Sequence, residues 1–113
     1  MWDLDDANGL HVRAKKKLLA FLEEPQRVRL GRTAERDLSI TPVRKLGLLQ
    51  AMSEFIACGA VLKADFMEQT GDEAFIFEYC QCDGIELYVK ASFKGEGRNE
   101  TLFVFSAHPT RRW

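Results

Sequence analysis

Tyr88, Lys90 and His108 are the residues whose types and spacing best suit chemistry. Tyr88 and Lys90 lie two apart in Ile85–Phe93, so on a strand their side chains share one face. That face also carries Glu86 and Ser92 and is polar. Ile85, Leu87, Val89, Ala91 and Phe93 make the other face apolar. His108 ends the next strand-like segment, and Arg111 and Arg112 follow it. A phenol, an ammonium, an imidazole and two guanidiniums on one sheet face match the needs of RNA cleavage by 2′-hydroxyl attack. That reaction requires a base, an acid and cations at the scissile phosphate. Imidazole is the side chain best placed by pKa for proton transfer, and Lys and Arg stabilise charge at phosphorus. The plainer alternative stands beside it. Polar residues on the outer face of a sheet need no function, and Arg111-Arg112-Trp113 also reads as an ordinary tail.

The elements that must position these residues follow from periodicity. Leu10, Ala14, Leu18, Phe21 and Leu22 recur at helical spacing, which predicts a helix over Asn8–Leu22. Asp6 or Asn8 is the expected cap, and Pro25 ends the helix. Arg27–Leu30 alternates like a short strand, and Arg32–Asp37 reads as a helical turn. Thr41 as N-cap and Pro42 at the first helical position predict a second helix. Val43, Leu46, Leu49, Met52 and Ile56 form its apolar stripe, and Gly59 stops it. Lys63–Gly71 reads as a connecting turn. Glu73–Cys80, Ile85–Phe93 and Thr101–His108 alternate with period two and are predicted strands. In the first, Phe75, Phe77 and Tyr79 share a face. In the last, Phe103, Phe105 and Ala107 alternate with Leu102, Val104, Ser106 and His108. Asp83-Gly84 supplies the first turn and Lys94–Glu100 the second. The expected fold is α+β, with two N-terminal helices packed on a three-stranded antiparallel β-meander in one domain, 1–113.

Composition agrees with one domain. The chain has 113 residues, 46% of them hydrophobic, enough for a core without covalent staples. No apolar run approaches the roughly 20 residues of a membrane helix. The acidic N-terminus lacks the apolar stretch of a secretory signal, so a cytoplasmic protein with no membrane association is expected. Three cysteines suggest reduced thiols. The net charge of −1 hides an asymmetry: His11–Lys45 carries ten Lys/Arg against four Asp/Glu, and Glu54–Glu100 four against ten. Such a split suits a basic surface facing nucleic acid or an acidic partner, or simply a solvated helix face.

Several segments together resemble MqsR-type toxins of the RelE superfamily. Ile85-Glu86-Leu87-Tyr88-Val89-Lys90 is similar to that family's (V/L)-Y-(L/V)-K strand. Phe105-Ser106-Ala107-His108-Pro109 is similar to its last strand, and Arg32-Thr33-Ala34 to its (R/T)-x-A segment. Thr41–Gly59 resembles the following helix, Asp65-Phe66 a D-F pair before the sheet, and Phe77-Glu78-Tyr79 its W-x-(D/E)-x-Y strand. The order matches over roughly Lys15 to His108. The resemblance implies a RelE-like fold and metal-independent cleavage of mRNA, neutralised by a cognate antitoxin protein. It implies catalytic roles for Tyr88 and His108, with Lys90 as the neighbouring lysine. Two positions depart from the pattern: Glu68 stands nearest a common Lys, and Phe77-Glu78 replaces an aromatic-Gln pair.

The expected site is therefore Tyr88, Lys90 and His108, with Arg111, Arg112, Arg29 and Arg32 holding the phosphates. Arg27, Arg29, Arg32 and Arg36 equally fit a solvated edge. No cofactor is expected. Expected partners are mRNA and an antitoxin, with a homo-oligomer as a further possibility. Cys80-Gln81-Cys82 with Cys58 or His108 is a weak zinc candidate, since the spacing is not C-x2-C and no second pair exists. The competing function is a non-catalytic protein-binding module, or an inactive homologue of the toxins, that uses an open sheet face or edge.

Overall fold

The computed structural model describes residues 2–3, 9–66 and 71–110. The first helix, α1 (Gly9–Leu22), follows a two-residue strand, β1 (Trp2–Asp3). Leu18, Phe21 and Leu22 of α1 are buried, as their spacing predicts. Its expected caps, Asp6 and Asn8, lie outside the described residues. At its C-terminal end a turn of 3-10 helix runs over Pro25–Arg27, and Lys45 Nζ donates to the Pro25 carbonyl (3.0 Å).

The predicted count of elements needs correction. There are three α-helices among the described residues and a mixed sheet, not two helices on three antiparallel strands. Val28–Leu30 is a strand, β2, and Arg32–Ser39 a helix, α2. Helix α3 spans Lys45–Ala57, and Lys63–Phe66 forms strand β3 where a turn was expected. Strands β4 (Glu73–Cys82), β5 (Ile85–Lys94) and β6 (Thr101–Pro109) make the predicted meander. The sheet order is β1-β3-β4-β5-β6-β2, all neighbours antiparallel except β2, which runs parallel to β6. Of the three added strands β1 has two residues, and β2 and β3 are short and carry charged residues, so none shows a long apolar alternation. Ala64 of β3 and Val28 of β2 are nevertheless buried.

Helix α3 starts later than its sequence suggests. Its N-cap position is Arg44, in extended conformation. The Thr41 hydroxyl instead donates to the Leu38 carbonyl (2.8 Å) and accepts the Val43 N–H (3.1 Å), closing the turn after α2. This turn sends Val43 into the core. Leu46, expected on the apolar stripe, is 65% exposed. Leu48, Leu49, Ala51, Met52, Phe55 and Ile56 are the residues buried. Gly59 does end the helix: at φ +81° its N–H reaches the Ile56 carbonyl, and the Ala60 N–H reaches that of Phe55. That is a Schellman pair, in which a left-handed glycine satisfies two terminal carbonyls.

All three helices contribute to one core on one side of the sheet. Leu18, Ala34, Leu38, Leu48, Met52 and Phe55 join Phe75, Phe77, Leu87, Val89, Leu102 and Val104 in a single buried cluster. The other sheet face carries no described helix. No described helix is long and apolar enough to cross a membrane.

Candidate active site on the Tyr88–His108 sheet face

Tyr88 and His108 are direct cross-strand partners on β5 and β6. Their rings stack at 5.1 Å between centroids with an interplanar angle of 18°. The next residue on that face of β5, Lys90, pairs with Ser106 on one side and Ile76 on the other. The alternation that buries Leu87, Val89 and Ala91 sends Tyr88 and Lys90 to the opposite face, which carries no helix among the described residues.

Two β-bulges shape this spot, and the period-two reading missed both. On β4, Phe77 pairs with Val89 and Cys80 with Leu87, so Glu78 and Tyr79 together oppose Tyr88. The bulge lets Phe77 and Cys80 both face the core and turns Tyr79 outward at φ +64°, correcting the expectation that Tyr79 shares the face of Phe77. On β6, Lys90 pairs with Ser106 and Ala91 with Val104, which leaves Phe105 as the extra residue. Leu102 and Val104 are therefore buried before the bulge and Ala107 after it. The phase slip is what places His108 opposite Tyr88; unbroken alternation would have put it on the face of Val104. The signal existed in the sequence as apolar residues switching parity, from Phe77 to Cys80 and from Val104 to Ala107.

The electrostatics are specific. Burial chiefly, then the Glu78 and Asp65 carboxylates, push the Tyr88 phenol above its ordinary range, so it stays protonated at neutral pH. The Lys63 ammonium lies 3.7 Å from Glu78. His108 Nδ1 sits 3.0 Å from the Pro109 carbonyl oxygen. That oxygen can only accept, so in the neutral ring Nδ1 carries the proton and Nε2 holds the lone pair. The pair thus offers one proton donor and one proton acceptor.

The predicted arginines are not gathered here. Arg29 is exposed on β2 beside Phe103, on the same sheet face but five residues along β6 from His108, roughly 15 Å at strand rise. Arg32 opens α2, next to Gly31, whose N–H donates to the Val104 carbonyl. Asp37 is the α2 residue that reaches β6 near the site, accepting the Ala107 N–H at 3.2 Å. Arg111, Arg112 and Glu68 lie outside the described residues. The last described residue, Thr110, is held at β5: its N–H donates to the Glu86 carbonyl (2.9 Å), and its hydroxyl to Glu86 Oε1 (2.7 Å).

The cysteines take no part in this face. Cys80 and Cys82 are buried on the helix side, and no group of three metal-binding side chains comes together among the described residues. The Cys80 thiol is pushed up to about 12 by burial first and then by Cys82, Cys58 and Glu54. Burial and Asp83 raise Cys82 as well. Cys58 is exposed. Because only the thiolate attacks an alkylating agent, iodoacetamide is expected to label Cys58 alone in the folded protein and all three cysteines in denaturant. Mass spectrometry would read one adduct against three, and rapid native labelling of Cys80 would contradict the packing.

Searches against protein-family models, curated proteins and solved structures find no match for this chain.

Proposed function

We propose that this protein is an RNA-cleaving enzyme of the mRNA-interferase kind, acting as the toxin of a toxin–antitoxin pair. The observation that carries the reading is the stacked Tyr88–His108 pair, set opposite a bulge on the sheet face away from the described helices, with Lys90 adjacent. Bulges concentrate next to active sites because they re-aim side chains. In the proposed reaction His108 Nε2 accepts the proton of the 2′-hydroxyl, whose oxygen attacks phosphorus. The P–O5′ bond breaks, and the Tyr88 phenol donates its proton to the leaving 5′-oxygen. The products are a 2′,3′-cyclic phosphate and a 5′-hydroxyl. Lys90 stabilises the charge that builds on the phosphoryl oxygens. Arg111 and Arg112, which follow Thr110 in the sequence, are the further cations proposed for the phosphate. An antitoxin would neutralise the enzyme by covering it.

A second reading is favoured by one observation. Asp65 and Glu78 lie near enough to Tyr88 to raise its pKa, and carboxylates repel phosphate. A non-catalytic module that binds a protein partner through this face would have no reason to avoid them. Induced expression separates the two. Wild type should arrest growth and degrade mRNA, while a folded Tyr88→Phe/His108→Ala variant should do neither. Equal effects of the two proteins on growth, with RNA intact, would replace the nuclease by the binding module.

A further inference from the structure

A groove of about 420 Å³ lies on the far side of the β4 bulge from the Tyr88–His108 pair and shares Glu78 and Tyr79 with that bulge. One wall is α3, through Ala51, Glu54, Phe55 and Cys58. The other is the outer edge of β4, through Glu78, Tyr79 and Gln81, and Ala60–Val61 closes one end. Strand β3 pairs with β4 only over Glu73–Ile76, so among the described residues no strand pairs with Tyr79–Cys82 on this side. The chain diverges there because the Schellman turn at Gly59 leads it away from α3 before β3 begins.

The hairpin geometry fixes which main-chain groups face the groove. Asp83 and Gly84 both have positive φ, +52° and +79°, in a two-residue turn between Cys82 and Ile85. Cross-strand pairs alternate between hydrogen-bonded and non-bonded from the turn outward. Cys82–Ile85 flanks the turn, so Gln81–Glu86 is the non-bonded pair. The Glu86 carbonyl indeed accepts from Thr110 on the β6 side instead. The Gln81 N–H and C=O therefore point away from β5, into the groove. An unpaired edge beside an apolar cleft is the arrangement to which an extended peptide adds a strand, with main-chain bonds for affinity and pockets for its side chains.

The groove also has a charge preference. Its apolar surface comes from Ala51, Phe55, Ala60 and Val61, with Val61 46% and Tyr79 58% exposed. Its ionisable lining is acidic: Glu54 on the helix and Glu78 on the strand, with exposed Asp83 at the hairpin end. The Lys63 ammonium lies 3.7 Å from Glu78. The Tyr79 ring, turned out by the bulge, adds an aromatic face that suits a cation.

We propose that this groove binds an extended basic segment of a partner protein, which adds a strand to β4 at Gln81. One apolar side chain of the segment enters the cavity, and flanking Lys or Arg face Glu54, Glu78 and Tyr79. The proposal does not rest on RNA cleavage.

The test uses the full chain and capped, dye-labelled seven-residue peptides of alternating Leu and Lys, with a Leu/Glu peptide as control. The Leu/Lys peptide should bind, shift the NMR amide signals of Cys58–Val61 and Tyr79–Gln81, and slow exchange of the Gln81 amide. Glu54→Lys should weaken binding about tenfold. Gln81→Pro, which removes an outward N–H at an edge where proline is tolerated, should abolish it. N-methylating the peptide backbone should do the same on the unaltered protein, and so does not depend on the Gln81 variant folding. Equal binding of the Leu/Glu peptide would overturn the proposal. So would shifts centred on Tyr88 and His108, undiminished binding after N-methylation, absence of binding, or self-association of the free chain through this edge.

Discussion

His108→Ala should reduce RNA cleavage by roughly 10²- to 10⁴-fold, the span expected for loss of a positioned proton-transfer group. The melting temperature should stay close to that of the parent. The ring is exposed and contacts the remainder of the fold through the Tyr88 stack and its own neighbour's carbonyl, so little buried area is lost. Tyr88→Phe isolates the hydroxyl, because it keeps the stacked ring. It should lower the rate by at least tenfold and leave RNA binding nearly unchanged, since the phenol acts in the transition state on the leaving oxygen. The pH profile tests the assignment of Tyr88 as the acid. Tyr88 works as the acid, and its pKa is raised above the ordinary phenol value, so it should cause no alkaline loss below about pH 10. An alkaline limb that begins near neutrality and disappears in Tyr88→Phe would reverse the assignment. Single-turnover cleavage of a short RNA by each variant, followed from pH 5 to 10, measures all of this.

How far the sequence reaches is best seen at particular residues. The strict alternation of Ile85–Phe93 placed Tyr88 and Lys90 on one face because β5 is the one long strand without a bulge of its own. The Asp83-Gly84 turn and the Gly59 stop were equally readable, since each rests on local backbone chemistry. Three features were not readable, for different reasons. Thr41 has the right chemistry for a helix cap, but its hydroxyl closes a turn instead, because burying Val43 required the chain to bend first. The pairings of β2 with β6 and β3 with β4 are non-local and short, and nothing local in Arg29 or Lys63 encodes which edge they meet. The bulges appear only as parity shifts, which an assumption of unbroken alternation conceals. The outcome for the candidate site is mixed. Tyr88, Lys90 and His108 occupy one face, Arg29 and Arg32 stand apart from them, Glu78 was legible as a departure from the family pattern, and Asp65 enters the site's electrostatics unexpectedly.

Phe77→Ala should be the most damaging single truncation in the sheet, costing about 3–5 kcal/mol. The side chain is fully buried, and its ring lies 5.3 Å from that of Phe55, joining β4 to α3. Phe77 is also the last residue in register before the bulge. Loss of its ring therefore leaves a void where the strand is least able to close by shifting. Against a total stability of roughly 5–15 kcal/mol for a domain, the loss is large, and the thermal midpoint should fall by about 10–20 °C. Two residues along, Tyr79→Gly should do almost nothing to stability, although it removes a ring of similar size. Tyr79 is 58% exposed, and its φ of +64° costs a non-glycine residue about 1 kcal/mol that glycine would not incur. The greater freedom of glycine in the unfolded chain offsets that gain by a similar amount. Chemical denaturation of both variants tests the bulge directly. If β4 alternated without interruption, Tyr79 would share the buried face of Phe77, and the two substitutions would destabilise the protein equally.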